Sequence, residues 1–455
     1  MDVRLLCFLL AALVIGTALA VTVAVTHDGS SPAARSTSAV HPQHPPTEQQ
    51  VTTQAEIIEH ARNRRSDGQT FYLRGGEYAE LDFRGIRHSR LLTFRAYPGE
   101  RPIVKGVVMA NSAGLKLEGL RITGGIDIRP GSNHDLRFVQ NDIGGYPGVG
   151  INVRESTNHL VIQKNHFHDL TRAGRQADDF AAGYAIRLSA PYGPIRDVRI
   201  VGNTIDRLAN DGIELGTVHG ALVEGNEISE VRAERGDDAH ADPLMVWADS
   251  SNITVRNNFF HDNSQPLYFA DGTRRGLLEN NVFVRGDNWC MQMGAIGDRT
   301  DGVSGAIIRN NTFWDCDFGG LIVRGDGSGN VLTNNILQTL AGTHLGRQFA
   351  TEGYNLIARG YRGGSHDLRG APRFVDPSAL DYRLAPHSPG IDAGTSVGAP
   401  SRDSRNARRS DDSGARNRGG GPLTYYDIGA LERVGVDASA NGTAPATGRF
   451  LNRRP

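Results

Sequence analysis

Ile200-Val-Gly-Asn203-Thr-Ile205 and Val223-Glu-Gly-Asn226-Glu-Ile228 carry one pattern, an apolar residue three places before an asparagine and another two places after it. Phe138-Val-Gln-Asn141-Asp-Ile143 and Ile162-Gln-Lys-Asn165-His-Phe167 carry it earlier in the chain. It returns around Asn258, Asn281, Asn311 and Asn335, giving successive asparagine spacings of 24, 38, 23, 32, 23, 30 and 24 residues. A base period of about 23, with extra residues in three units, marks a solenoid that grows along one axis. Apolar residues alternate on either side of each asparagine, which gives strands with one inward face. Asparagine suits a sharp corner because it tolerates left-handed backbone, and stacked coils let its amides bond up a column. Residues 110–340 show no helical periodicity and no leucine-rich spacing. The expected fold is therefore all-β, a parallel β-helix.

An open β-helix exposes apolar ends and needs covers. Apolar Ala55, Ile57, Ile58 and Ala61 among charges, within residues 53–65, predict a short amphipathic helix capping the N-terminal end. Arg373-Phe-Val-Asp376 and Asp381-Tyr-Arg-Leu384 read as final short strands. The β-helix domain with its cap is set at 51–394. Residues 395–421, rich in Arg, Asp, Ser and Gly, read as a mobile linker. Residues 422–432 read as a return segment, and 433–455 as a disordered tail. At the other end, residues 5–25 are uncharged. Segment 1–26 thus reads as a cleaved signal peptide or an uncleaved membrane anchor, and 27–50 as a disordered tether. Both readings place the rest of the chain outside the cytoplasm, membrane contact being limited to that first segment.

The chain has 455 residues and a formal charge of -1, from 49 basic and 50 acidic groups. That balance argues against a nucleic-acid partner. Lysine occurs only at Lys105, Lys116 and Lys164, so a catalytic cation is expected to be arginine. Cys290 and Cys316 fall on neighbouring coils in different columns and read as buried thiols, with a bridge as the alternative.

Tyr72-Leu-Arg-Gly-Gly-Glu77-Tyr78, Ser388-Pro-Gly-Ile-Asp392-Ala-Gly394 and Asp427-Ile-Gly-Ala430, together with the asparagine turns, resemble bacterial right-handed parallel β-helix repeat proteins of the pectate-lyase-like superfamily. The resemblance spans roughly residues 50–432. It implies a right-handed helix and, from members of known activity, an acidic polysaccharide as partner. The fold also hosts hydrolases, epimerases and adhesins, so chemistry has to come from the site. No lysine matches the segment that alginate- and chondroitin-cleaving β-helix lyases use. Asp242-Pro243 is followed by Leu244, not by the histidine of the epimerase pattern. The Gly-His-Gly and Arg-Ile-Lys segments that polygalacturonase-type hydrolases need beside paired aspartates are absent.

One sheet can be aligned coil by coil through Val149-Gly-Ile-Asn-Val153, Tyr184-Ala-Ile-Arg-Leu188, Asp211-Gly-Ile-Glu-Leu215, Asp242-Pro-Leu-Met-Val246, Gln265-Pro-Leu-Tyr-Phe269, Trp289-Cys-Met-Gln-Met293 and Gly319-Gly-Leu-Ile-Val323. The central apolar residue points in. The next points out, giving a surface column Asn152, Arg187, Glu214, Met245, Tyr268, Gln292, Ile322. Small residues before each centre are read as leaving the face open. Insertions at 171–182, 231–241 and 295–304 flank the same strands, where function usually sits. Asp211, Glu214 and Asp242 form an acidic cluster that must take up a proton or a cation, Ca²⁺ being the ion its oxygens suit, or else cap turns. Arg187, His240 and Tyr268 are the expected catalytic groups. Asn152, Glu214, Gln292 and Trp247 are the expected sugar contacts. His166-Phe-His168 has the look of a metal pair, but His261 recurs at the position of His168, so it reads as part of the repeat turn. The expected function is cleavage or remodelling of a uronate-containing polysaccharide by a lyase, with a non-catalytic glycan-binding or envelope surface protein as the alternative.

Overall fold

The chain divides into two units, residues 1–44 and 45–455. The computed structural model describes residues 49–172, 182–190, 193–234, 241–295, 301–361 and 363–433, all within the second unit. The apolar N-terminal segment, all but the end of the tether, and nearly all of the tail lie outside the described residues. No helix among the described residues is long and apolar enough to cross a membrane.

Each coil contributes strands to three faces. The first face is a sheet of 13 strands, in which Gln50–Val51 is followed by Thr70–Leu73, Arg87–Ala96, Ala113–Glu118 and so on to Phe349–Gly353 in sequence order, every pairing parallel. The second face stacks Asp142–Pro147, His166–Thr171, Thr204–Leu208, Glu227–Val231 and Phe259–His261. The third stacks Ile126–Ile128, Ile151–Val153, Ile186–Ser189, Ile213–Gly216, Leu244–Trp247, Leu267–Ala270 and Trp289–Gly294. Inward side chains fill the bore in register. Phe260 stacks on Phe283 at 4.2 Å and Phe283 on Phe313 at 5.1 Å.

The asparagines form one buried column between the first and second faces. From Asn141 to Asn335, the backbone N–H of each donates to Oδ1 of the asparagine one coil on, at 2.8–3.1 Å. Its Nδ2 donates to the same oxygen at 2.9–3.1 Å. The other Nδ2 hydrogen reaches a carbonyl of the preceding coil, as Asn226 does to Ile200 at 2.9 Å. Each amide therefore ties three coils together. The left-handed corner belongs to the residue before the asparagine, a correction to the sequence reading. Gln140, Lys164, Gly202, Gly225, Asn257, Asn280, Asn310 and Asn334 have φ of 52–65°. The column also continues through Asn355 to Asp367, whose Oδ1 accepts the Asn355 N–H at 2.8 Å.

Helix α1, Gln54–Arg62, closes the N-terminal end as expected. Thr53 and Glu56 form a reciprocal capping box, and Ile57 and Ala61 are buried against the first coils. At the far end Phe374–Asp376 and Asp381–Leu384 pair antiparallel. They lie outside the bore, where Tyr382, Ala430 and Leu431 cover the outward-facing Phe259, Val282 and Val284 of the second face. Residues 395–421 are not the mobile linker expected from their composition. Arg409 is fully buried, donating to Glu432 at 2.8 Å and to Asn280 Oδ1 at 3.0 Å. A buried ion pair thus anchors a segment whose charge density made it look like a solvated loop. Cys290 and Cys316 are bonded, with Cα atoms 5.6 Å apart, so the bridge reading replaces that of two thiols. Different columns do not separate them, because the second and third faces meet at a corner and the bond crosses it.

Candidate polysaccharide face

The predicted outward column exists. Register runs Asp127, Asn152, Arg187, Glu214, Met245, Tyr268, Gln292, Ile322 across successive strands of the third face. The small residues before the strand centres do not hold the face open, as the sequence reading has it. A Cβ on Gly150 would lie 2.5 Å from the Ala185 carbonyl and 2.7 Å from the Phe167 ring, so glycine there permits close backbone packing toward the core.

Arg187 stands in the middle of the column with its side chain 27% exposed. Its Nε donates to Glu214 Oε2 at 2.9 Å, and its guanidinium lies 5.1 Å from the centroid of the Tyr184 ring. The other Glu214 oxygen accepts from Trp247 Nε1 at 3.2 Å. Glu214 is buried and both oxygens are engaged, so it braces Arg187 and Trp247 and does not itself face a sugar. Tyr184 is the member of this group that sequence reasoning missed. It occupies the position of Asp211 and Asp242 one coil earlier, and that alignment was its signal.

Asp211 and Asp242 are buried on successive coils, and Asp211 Oδ1 accepts the Asp242 N–H at 2.9 Å. Burial pushes both carboxyls well above the usual carboxylate range, and the neighbouring negative charges add to it. Asp242 Oδ1 is buried and has no hydrogen-bond partner among the described residues. A proton held by the pair meets that arrangement. Ca²⁺ takes six to eight oxygens, and among the described residues both Glu214 oxygens and Asp211 Oδ1 already accept from Arg187, Trp247 and the Asp242 N–H. Among the described residues, the set of acidic, histidine or cysteine side chains whose ligand atoms all lie within 4.8 Å of one another is Asp142, His166 and His168, on the second face.

Tyr268 is half-buried in the column. Burial, with the nearby Asp242 charge, pushes its hydroxyl up to about 12, partly offset by Arg324. It keeps its proton at neutral pH and suits donation better than abstraction. It is three strands from Arg187, about 14 Å at the usual strand spacing, so the two meet different sugars of a bound chain. Gln292 is the next in line and is buried. Asn152 precedes Arg187, beside the Arg154–Asp127 pair at 3.2 Å. His240, expected as a catalytic group, lies outside the described residues, as do most of the insertions that flank the face.

The family described as Right handed beta helix region matches residues 98–234 and 184–346. Among solved structures, the PL6 family alginate lyase AlyGC aligns at 15% identity and TM-score 0.46, over 75% of this chain and 55% of its own length. The chain thus spans about half of that enzyme. The pectate lyase Pel9A aligns at 11% identity and TM-score 0.36, over 83% and 90%. PfbA, a surface adhesin of Streptococcus pneumoniae, aligns at 10% identity and TM-score 0.34, over 70% and 91%. No curated relative matches the sequence. At these identities the likenesses concern the fold.

Proposed function

We propose, for a chain that belongs to the right handed beta helix family, that the third face binds an acidic, uronate-containing polysaccharide outside the cytoplasm and cleaves it by β-elimination. The observation that carries this reading is Arg187, a partly exposed arginine fixed on the outward column by buried Glu214 and the Tyr184 ring. A uronate carboxylate paired with this guanidinium loses charge repulsion as C5 gives up its proton. A base takes that proton, the C4–O bond breaks, a C4=C5 double bond forms, and the departing oxygen takes a proton. His240 is the candidate base. Trp247 and Tyr268 offer rings for neighbouring sugars. The Cys290–Cys316 bond suits an oxidising compartment, in line with the N-terminal segment.

A second reading, glycan binding without cleavage, is favoured by the inward pairing of the acids: Glu214 serves Arg187 and Trp247, and Asp211 serves the Asp242 backbone. Incubating the full chain with a panel of acidic polysaccharides, with and without Ca²⁺, separates the two. Wild type is compared with Arg187→Ala for binding and for the ultraviolet absorbance of the unsaturated product. Elimination predicts product from wild type and a loss of about 10²–10³ in rate for the variant. Binding that falls without any product supports the second reading. Equal binding and equal product, with the fold intact, would place the site elsewhere.

A further inference from the structure

The polar half of the second face carries a group that the polysaccharide reading leaves unused. His166 and His168 project from one strand on the same side, their rings stacked with centroids 4.5 Å apart. Asp142 stands opposite His166 on the preceding coil, and Asp206 opposite His168 on the following one. The contacts run crosswise. His168 Nε2 lies 2.5 Å from Asp142 Oδ1, and His166 Nε2 lies 2.8 Å from Asp206 Oδ2. His168 Nδ1 is held by Asp169 Oδ2 at 2.7 Å, and the second Asp142 oxygen by Arg121 at 2.8 Å.

Both His168 ring nitrogens face carboxylate oxygens, and a neutral ring can donate to one of them. With the His168 Nδ1–H donating to Asp169, the Nε2 lone pair faces a carboxylate oxygen. Two acceptors at that distance need a proton or a cation between them. A carboxylate on the far ring nitrogen is also the usual way a metal-ligating histidine is oriented and made more basic. The further apolar residues of this face, Phe259, Val282 and Val284, lie under the C-terminal segment. The His166 and Asp142 side chains are 30% and 37% exposed.

We propose that Asp142, His166 and His168 bind a divalent transition metal of the zinc class, which ties neighbouring coils together on the second face. Imidazole nitrogens and a single carboxylate oxygen suit Zn²⁺ better than Ca²⁺ or Mg²⁺. The three ligand atoms lie within 4.8 Å of one another. Bonds of about 2.0–2.1 Å in a tetrahedral site put ligands about 3.3 Å apart, so the three side chains would draw together, His166 leaving Asp206 where it ligates through Nε2. Asp169 and Arg121 would stay in place, orienting His168 and Asp142.

The test uses the full chain stripped with a chelator, titrated with ZnCl₂ by calorimetry and with CoCl₂ by visible absorption. Wild type is expected to take one ion at this site, to show the d–d bands of a nitrogen- and oxygen-ligated Co²⁺, and to melt higher with Zn²⁺ present. The double variant His166→Gln with His168→Gln, and separately Asp142→Asn, are expected to bind at least about tenfold more weakly. His261→Gln, at the His168 position three strands on, is expected to bind as wild type does. Circular dichroism checks that each variant is folded. Equal affinity in wild type and the double variant, or no uptake by wild type at about 100 μM ion, would overturn the proposal.

Discussion

Replacing Asn226 by leucine tests the amide column at its centre. Asn226 Oδ1 accepts from Asn203 N and Nδ2 at 2.8 and 2.9 Å, and its Nδ2 donates to Ile200 O and Asn258 Oδ1, both at 2.9 Å. Leucine removes all four bonds. Asn203 Nδ2 keeps Ile162 O as a partner at 3.0 Å, and Asn258 Oδ1 keeps the backbone N–H of residue 226 at 2.9 Å. The Asn203 backbone N–H loses its acceptor in a site with no water access. One orphaned buried donor, with weaker bonds to its neighbours, costs about 2–4 kcal/mol. For a cooperative unit of this size the melting entropy is about 0.8 kcal/mol per degree, so the midpoint should fall by about 2–5 °C. Lys164→Gly is the control, because that exposed residue holds the left-handed corner at φ 54°. Glycine there should be neutral or stabilise by up to about 1 kcal/mol. Differential scanning calorimetry reads both. An unchanged midpoint for Asn226→Leu, or an equal loss for the two variants, would show that the corner backbone and not the amide column holds the coils.

Three further outcomes follow from the same contacts. Removing the bridge with Cys290→Ala and Cys316→Ala opens a loop of 26 residues and should cost up to about 3.5 kcal/mol by chain entropy; a reductant should lower the wild-type midpoint and leave the double variant's unchanged. Arg409→Met strands Glu432, Asn280 Oδ1 and the Gly429 carbonyl, so about 3–5 kcal/mol should be lost locally, read as faster proteolysis within 395–421. Burial raises the carboxyls of Asp211, Asp242 and Asp427, that of Glu352 to about 7 and that of Asp392 to about 6. Folded values above unfolded ones give stability that is complete below the ordinary carboxylate range and lost as pH rises through 6–7; the melting midpoint should therefore be lower at pH 8 than at about pH 5.5, and a rise over that interval would contradict the protonated reading.

Strand positions were legible because one residue type recurs at a corner and the apolar pattern around it repeats. Asn355 was not, because Glu352 stands where the pattern wants an apolar residue. The left-handed corner was misassigned by one place: asparagine fills it in the later coils, at Asn257, Asn280, Asn310 and Asn334, next to the asparagine that bonds. Composition misled for 395–421, because charge density does not distinguish a solvated loop from a buried ion pair such as Arg409–Glu432. The outward column was read correctly from alternation alone. What alternation cannot say is which carboxylate spends its oxygens on a neighbour. Glu214 looked like a ligand until Arg187 and Trp247 were found on it.

The most direct test of the polysaccharide reading asks where an acidic chain sits. Hydrogen–deuterium exchange of the full chain, with and without a saturating acidic oligosaccharide, answers it at the level of strands. The account predicts added protection in Ile186–Ser189, Ile213–Gly216, Leu244–Trp247 and Leu267–Ala270, weakened by Arg187→Ala. Protection confined to the first or second face, or unchanged by that substitution, would contradict it.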